Sequence, residues 1–290
     1  MRVRATIATL AICLALIATA MAQPSPGGAR GKPSRIVSLN LCVDQLVLLV
    51  ADPANIASVT WLATDPANSV MAERAARVPQ INRGYAEEIL PVQPDLVLAG
   101  QFTTPFTVQM LRRVGFNVEV LPAPTTFDDL RAQVRRVGDL VQERARAELV
   151  VADLDARLAA AAPAPGAVAP RAAVFQPGGF TAGRGSFEHE LLLAAGLANV
   201  ASERGIDFYG YLSLEEVLML RPDLIVSPGY VPGRPSIGEQ MLAHPALRKA
   251  GASQRVVEVP SNVWNCPGPM NVEAVEIMAR ARDAVARTIN

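Results

Sequence analysis

Short apolar runs rich in β-branched residues alternate with amphipathic stretches along the first part of the chain. The apolar runs predict buried strands, and the amphipathic stretches predict helices that cover them. The predicted strands are residues 35–39, 56–61, 95–99 and 117–121, and the predicted helices are residues 43–50, 87–92 and 108–114. Alternation of this kind predicts an α/β lobe built on a parallel sheet.

A much longer helical pattern interrupts the alternation between residues 127 and 162, and Gly138 marks a point where this helix can break. Strand and helix then alternate again. The predicted strands are residues 171–175, 223–227 and 255–259, and the predicted helices are residues 187–195, 214–220 and 272–288. The pattern therefore predicts a second α/β lobe after a long connecting helix.

The two predicted lobes share an internal repeat, in which a helix opening with two acidic residues is followed by a Pro-Asp turn and an aliphatic strand. Glu87 matches Glu215 and Asp95 matches Asp223, and both pairs are 128 positions apart. One constant offset favours duplication of a structural unit over chance. Two similar lobes leave a cleft between them, which is where small ligands tend to bind.

The N-terminus has the pattern of a secretory signal peptide. Arg2 and Arg4 precede an apolar stretch that runs to about Ala20, and the small-x-small sequence ends at Ala22. The apolar stretch is shorter than the ~20 residues that a membrane-spanning helix needs. We therefore expect cleavage after Ala22 and export of the mature protein to the periplasm.

The predicted organisation has five parts. They are a signal peptide at 1–22, a flexible leader rich in Pro, Gly and Ser at 23–34, an N-terminal lobe at 35–142, a connecting helix at 143–162 and a C-terminal lobe at 163–290.

Composition narrows the function. Lys and Arg number 27, as do Asp and Glu, and this balance gives no support for nucleic-acid binding, which normally leaves a basic patch. Two histidines do not suffice for a bare transition-metal site, so no resident metal or cofactor is expected. The mature chain keeps Cys42 and Cys266, which the sequence leaves free, bridged or in contact with a ligand.

Four segments together resemble the periplasmic binding proteins for cobalamin, haem and ferric siderophores, most of all the cobalamin binders. They are residues 35–39, 94–97, 125–130 and 180–186, and the resemblance extends over about residues 35–277. It implies two Rossmann-like lobes joined by a single long rigid helix, with the ligand in the cleft between them. It also implies a monomer that serves an ABC permease dimer with its ATPase subunits.

Glu87 and Glu215 are candidate docking residues, because the family resemblance implies that a glutamate at this place in each lobe engages arginines of the permease. Acidic residues also favour a helix N-terminus because they complement its dipole. Docking and helix capping therefore both remain open for this pair.

Aromatic residues make up only 5% of the chain, yet many fall in predicted loops near the carboxyl ends of strands, where α/β proteins bind ligands. Flat apolar rings suit a large ring-containing ligand, although a loop aromatic can instead fill its own lobe. Trp61, Tyr209 and Trp264 are expected to line one pocket. The full set of candidate ligand contacts is Trp61, Tyr209, Trp264, Cys42, Tyr85, Phe102, Tyr211 and Tyr230.

Two other classes of function compete with a transport receptor. An enzyme on Rossmann-like lobes would need a glycine-rich nucleotide fingerprint after the first strand, but residues 38–43 contain no glycine. No nucleophile–base pair is evident either, so no catalytic residue is assigned. A two-lobed periplasmic sensor without a transport role remains an alternative.

Overall fold

Two parallel β-sheets, one in each half of the chain, form the framework on which the helices pack. The computed structural model describes residues 31–230 and 255–289. The strands of the first sheet are β1 Ile36–Ser38, β2 Ile56–Thr60, β3 Gln80–Asn82, β4 Leu96–Gly100 and β5 Val118–Leu121. Their order is β3-β2-β1-β4-β5, and every pairing is parallel.

The central strands of the first sheet are buried throughout because helices cover both faces. Every residue of β1 and β4 is buried, which explains why these strands read as continuous apolar runs. The helices of this lobe are α1 Leu41–Val50, α2 Ala72–Ala75, α3 Ala86–Ile89, α4 Pro105–Arg113 and α5 Phe127–Leu140.

The strands of the second sheet are β6 Arg171–Val174, β8 Ala198–Asn199, β10 Leu224–Tyr230 and β11 Arg255–Pro260. Their order is β11-β10-β6-β8, and every pairing is parallel. Two further strands form a separate antiparallel sheet. They are β7 Phe180–Ala182 and β9 Tyr209–Tyr211, and both lie between β6 and β10 in sequence. The helices that the structure describes in this lobe are α7 Phe187–Ala194, α8 Val200–Glu203, α9 Leu214–Leu220 and α10 Asn271–Ile289.

The internal repeat has a structural basis at the Pro-Asp turn. The Asp95 carboxylate accepts hydrogen bonds from the backbone N–H groups of Ser34 and Arg35, at 2.8 and 3.0 Å. Asp223 accepts one from the backbone N–H of Arg171, at 2.8 Å. In each lobe the repeated aspartate thus ties the start of one central strand to the start of its neighbour.

The long helical stretch is two helices. It breaks at Gln142, which has a left-handed backbone with φ of 55°, and the connecting helix α6 runs from Arg144 to Ala161. Gly138, the expected break, lies inside α5. A Cβ there would meet the Cβ of Ala147 at 2.5 Å, so glycine allows α5 and α6 to pack closely.

Helix α6 is bonded to both lobes. Arg146 donates to the carbonyl oxygens of Val50 and Ala51 at the end of α1, at 3.3 and 2.7 Å. Arg157 forms a bidentate ion pair with Glu276 on α10, at 2.8 and 2.9 Å. With 18 residues, α6 is about 27 Å long, enough to extend across both lobes.

The predicted class, an α/β fold with two parallel sheets and a long helix between them, is confirmed. Short elements such as β3, β7 and β9 were not predicted, because three-residue strands leave little periodicity to detect. The signal peptide at 1–22 and most of the leader at 23–34 lie outside the described residues. Within the described ranges, no helix combines the length and apolar character needed to cross a bilayer.

Candidate ligand-binding cleft

A cavity of about 470 Å³ lies between the two lobes. Small-molecule sites commonly have roughly this volume. Its walls come from the carboxyl ends of strands in the first sheet and from loops and a helix start in the C-terminal lobe. The described lining residues are Asn40, Cys42, Val43, Leu46, Gly100, Gln101, Phe102, Leu121, Pro122, Ala123, Pro124, Thr125, Gln133, Gly185, Ser186, Phe187, Glu188, Phe208, Tyr209, Asn265 and Pro267.

The N-terminal wall is built where β1, β4 and β5 end. Asn40 caps α1 by accepting a hydrogen bond from the backbone N–H of Cys42, at 3.0 Å. Gly100 lies against Asn40, since a Cβ on this glycine would meet the Asn40 side chain at 2.9 Å. Phe102 lies two residues after Gly100 and is 79% exposed, so its ring is available at the rim of the cavity.

The C-terminal wall is built around the first turn of α7. Ser186 caps this helix by accepting a hydrogen bond from the backbone N–H of His189, at 3.1 Å. The ring of Phe187 packs against that of Phe127 in the N-terminal lobe, with centroids 5.3 Å apart. This aromatic contact joins the first turns of α7 and α5, so the cavity lies where the lobes meet.

Glu188 and Tyr209 form a polar pair in this wall. The Tyr209 hydroxyl donates to the Glu188 carboxylate at 3.3 Å, and the Tyr209 ring stacks on Phe180 with centroids 5.5 Å apart. Burial raises the pKa of Glu188. Burial, together with the adjacent Glu188 carboxylate, raises the pKa of Tyr209 to about 12. The phenol therefore stays protonated and remains a hydrogen-bond donor at physiological pH.

A disulfide joins the lobes at the cavity wall. Cys42 in the first turn of α1 is bonded to Cys266, which follows β11, with the Cα atoms 5.1 Å apart. Of the three states that the sequence leaves open for these cysteines, the structure has the disulfide. Asn262 adds a second inter-lobe link by donating to the carbonyl oxygen of Pro66, at 2.9 Å.

The comparison with known families decides what kind of protein this is. The family model described as "Periplasmic binding protein" matches residues 36–263, which include both sheets and the connecting helix. The chain belongs to this family.

One protein of similar sequence and two solved structures are similar to this chain over most of its length. A cobalamin-binding protein from Halobacterium salinarum is 28% identical over 261 residues, covering 86% of this chain and 69% of that protein. The apo haem-binding protein RhuT from Roseiflexus sp. RS-1 has a TM-score of 0.67 and 22% identity, covering 87% and 99% of the two chains. Vitamin B12 binding protein BtuF of Vibrio cholerae has a TM-score of 0.63 and 17% identity, covering 88% and 98%. At these identities the structural matches establish a shared fold.

Three of the sequence-predicted contacts line the cavity of this periplasmic binding protein. They are Cys42, Phe102 and Tyr209. Trp61, Tyr85 and Tyr211 are exposed but are not among the lining residues. Tyr211 instead packs edge-on against Phe180, with centroids 5.8 Å apart.

Trp264 differs from the expectation that it lines the same pocket. It is only 5% exposed and packs in the hydrophobic core. A short 3₁₀ turn at Ser261–Val263 precedes it, and its backbone N–H donates to the carbonyl of Ser261 at 3.0 Å. Tyr230 ends β10, and its side chain lies outside the described structure.

Several lining residues were missed by the sequence interpretation. The segment 121–125 follows β5 and was an available signal, because it is the carboxyl end of a strand. Glu188 and Phe208 gave no such signal. Glu188 lies in the first turn of a helix, and Phe208 depends on a left-handed backbone with φ of 56°.

Glu87 and Glu215 are exposed in the first turns of α3 and α9. The following glutamates do the capping: Glu88 accepts from the backbone N–H of the N-cap residue Tyr85 at 3.5 Å, and Glu216 accepts from that of Ser213 at 2.8 Å. Among the described residues, neither Glu87 nor Glu215 has a hydrogen-bond or ion-pair partner.

Removing the disulfide tests how the lobes are held. The double variant Cys42→Ser/Cys266→Ser is expected to lower the free energy of unfolding by about 2–5 kcal/mol, because the bond closes a very long loop in the unfolded chain. Denaturant unfolding of the oxidised protein, the reduced protein and the variant measures the difference. Reductant should leave the variant unchanged. Coincident curves for oxidised and reduced wild type would show that the bond does not stabilise the fold.

Proposed function

We propose that this protein captures a cobalamin-like corrinoid, or another metal chelate of similar bulk, between its lobes and delivers it to an ABC importer. The observation that carries the proposal is the cavity itself, because the N-terminal lobe builds one wall at the carboxyl ends of parallel strands and the C-terminal lobe builds the other from loops and the start of α7. The similarity to a curated cobalamin-binding protein supports the choice of ligand. The family consists of binding proteins, and no enzymatic activity is proposed.

The cavity walls favour a large ring-containing ligand over a small polar solute. The described lining of the cavity is mostly apolar and includes the rings of Phe102, Phe208 and Tyr209. Flat faces of this kind pack well against a macrocycle, while a few fixed polar groups orient it. Haem or a ferric siderophore, carried by the same fold, is the alternative ligand class. It is supported by the similarity to a haem-binding structure.

Location and partners follow from the same proposal. The predicted signal peptide would deliver the mature chain to the periplasm as a monomer, where an ABC permease dimer with its ATPase subunits would receive the ligand. A periplasmic sensor built on the same two lobes would bind ligand but would not stimulate uptake. Transport assays in a reconstituted importer therefore separate a receptor from a sensor.

A ligand panel tests the binding function. Purified protein is titrated with cyanocobalamin, haemin and ferrichrome and followed by visible absorbance and thermal unfolding. Saturating cyanocobalamin is expected to raise the melting temperature, since a ligand at 100 times its Kd stabilises the folded state by about 2.7 kcal/mol. No change with any of the three chelates would contradict the proposed function.

A matched pair of variants locates the binding site. Phe102→Ala is expected to weaken binding by about 1–3 kcal/mol, the usual contribution of one stacked ring. Phe106→Ala is the control, because Phe106 is also exposed, at 69%, but does not line the cavity. Equal affinities of the two variants would place the ligand away from this cavity.

Docking through Glu87 and Glu215 is part of the proposal. Each lies in the first turn of a helix that begins at the cavity side of its lobe: α3 follows β3, and α9 begins five residues after Tyr209. Glu88 and Glu216 make the capping hydrogen bonds of these helices, so the helix dipole is the structural alternative that remains for the preceding glutamates. Two exposed carboxylates, one in each lobe, match a permease dimer that offers one cationic group per subunit.

Charge reversal tests docking. The variant Glu87→Arg/Glu215→Arg should abolish uptake, because arginines would then oppose the cationic groups of the permease, while ligand affinity stays near the wild-type value. Glu73→Arg/Glu258→Arg is the control, since it makes the same charge change at two other exposed acidic residues, one in each lobe. Normal uptake by the first variant in a reconstituted importer would remove the docking role.

A further inference from the structure

The described lining of the cavity carries very little charge. Of its described lining residues, Glu188 alone carries a charged side chain, and none is Lys, Arg or His. The Glu188 carboxylate is fixed by the hydroxyl of Tyr209 at 3.3 Å. A ligand in this cavity therefore meets one carboxylate with no compensating cation among the residues that the structure describes.

Two arginines that lie close to lining residues in sequence are engaged elsewhere. Arg184 precedes the lining residue Gly185, but its guanidinium donates to the carbonyl of Ser202 at 3.5 Å. Arg136 lies one helical turn beyond Gln133 on α5 and pairs with Glu119 at 3.2 Å. Neither contributes positive charge to the lining of the cavity.

Neutral amides supply the polar contacts instead. Gln101 accepts from the backbone N–H of Ala123 through Oε1 at 3.0 Å, which leaves its NH₂ group as a donor. Gln133 donates Nε2 to the carbonyl of Pro122 at 2.6 Å, which leaves its Oε1 as an acceptor. These groups complement the hydrogen-bonding pattern of primary amides on a ligand.

We propose that Glu188 is a specificity-determining residue that selects an electroneutral, amide-bearing chelate of the corrinoid class and excludes chelates that present carboxylates, such as a porphyrin with free propionates. The inference rests on the proposed function and narrows the ligand of the same site. It concerns discrimination between chelates that share a flat macrocycle, which the aromatic walls alone do not provide.

The physical reason is the repulsion between two carboxylates in a desolvated site. Like charges brought together across a binding surface are strongly unfavourable, and burial of either one without a cation adds to the cost. Burial already raises the pKa of Glu188, so a second carboxylate beside it must be excluded or bind a proton. An amide N–H from a neutral ligand instead donates to Glu188 and stabilises its charged form.

The test compares the affinities of ligands that carry different numbers of carboxylates. Cyanocobalamin is compared with its monocarboxylic acids, in each of which one side-chain amide is hydrolysed, and with haemin. Calorimetry gives affinities for wild type, Glu188→Gln and the control Glu190→Gln, which lies on the same helix outside the cavity lining. Wild type is expected to prefer cyanocobalamin by tenfold or more over at least one acid, and over haemin.

The two variants and the dependence on salt concentration show whether Glu188 causes this preference. Glu188→Gln should bring the affinity for that acid to within about threefold of cyanocobalamin, while Glu190→Gln keeps the wild-type ratio. Higher salt should lower the wild-type ratio, because it screens repulsion at the open side of the cavity, and this readout needs no variant.

The possible outcomes distinguish the role of Glu188 from the binding of chelates in general. Equal wild-type affinity for cyanocobalamin and all of its acids, or a preference for haemin, would overturn the role of Glu188 and leave chelate binding intact. A ratio unchanged in a folded Glu188→Gln protein would do the same. Absence of binding by every chelate would overturn the proposed function, and the inference with it.

Discussion

The distance between the two lobes is the constraint on which the cavity depends. Cys42 and Cys266 join the lobes at the edge where the strands end, and the cavity wall includes Cys42 itself. Helix α6 sets the separation from the other side, since Arg146 holds it to α1 and Arg157 holds it to α10. With both connections in place, a site built half from each lobe keeps its shape before a ligand arrives.

Different features of the site select the shape and the charge of the ligand. The framework of strands and helices positions apolar surfaces from two directions, so size and shape are selected by the spacing of the lobes. Among the described lining residues, we propose that charge is selected by Glu188, which lies among neutral amides and hydroxyls. A pre-formed site loses less conformational entropy on binding, which favours high affinity.

The sequence predicted the elements better than the site. Helix α9 at Leu214–Leu220 was predicted to the residue, and the Pro-Asp repeat revealed two lobes, because both depend on local periodicity and turn chemistry. The burial of Trp264 and the position of Glu188 depend on how distant segments pack. The pairing of Cys42 with Cys266, separated by 224 residues, depends on the same packing. Loop composition shows that an aromatic is available but not which way it faces.

Hydrogen–deuterium exchange with and without cyanocobalamin tests the central claim, that one chelate is held by both lobes at once. The account predicts slower exchange in residues 100–102 and 121–125 of the N-terminal lobe and, at the same ligand concentration, in residues 185–188 and 208–209 of the C-terminal lobe. Protection confined to one lobe, or found only outside these segments, would contradict it.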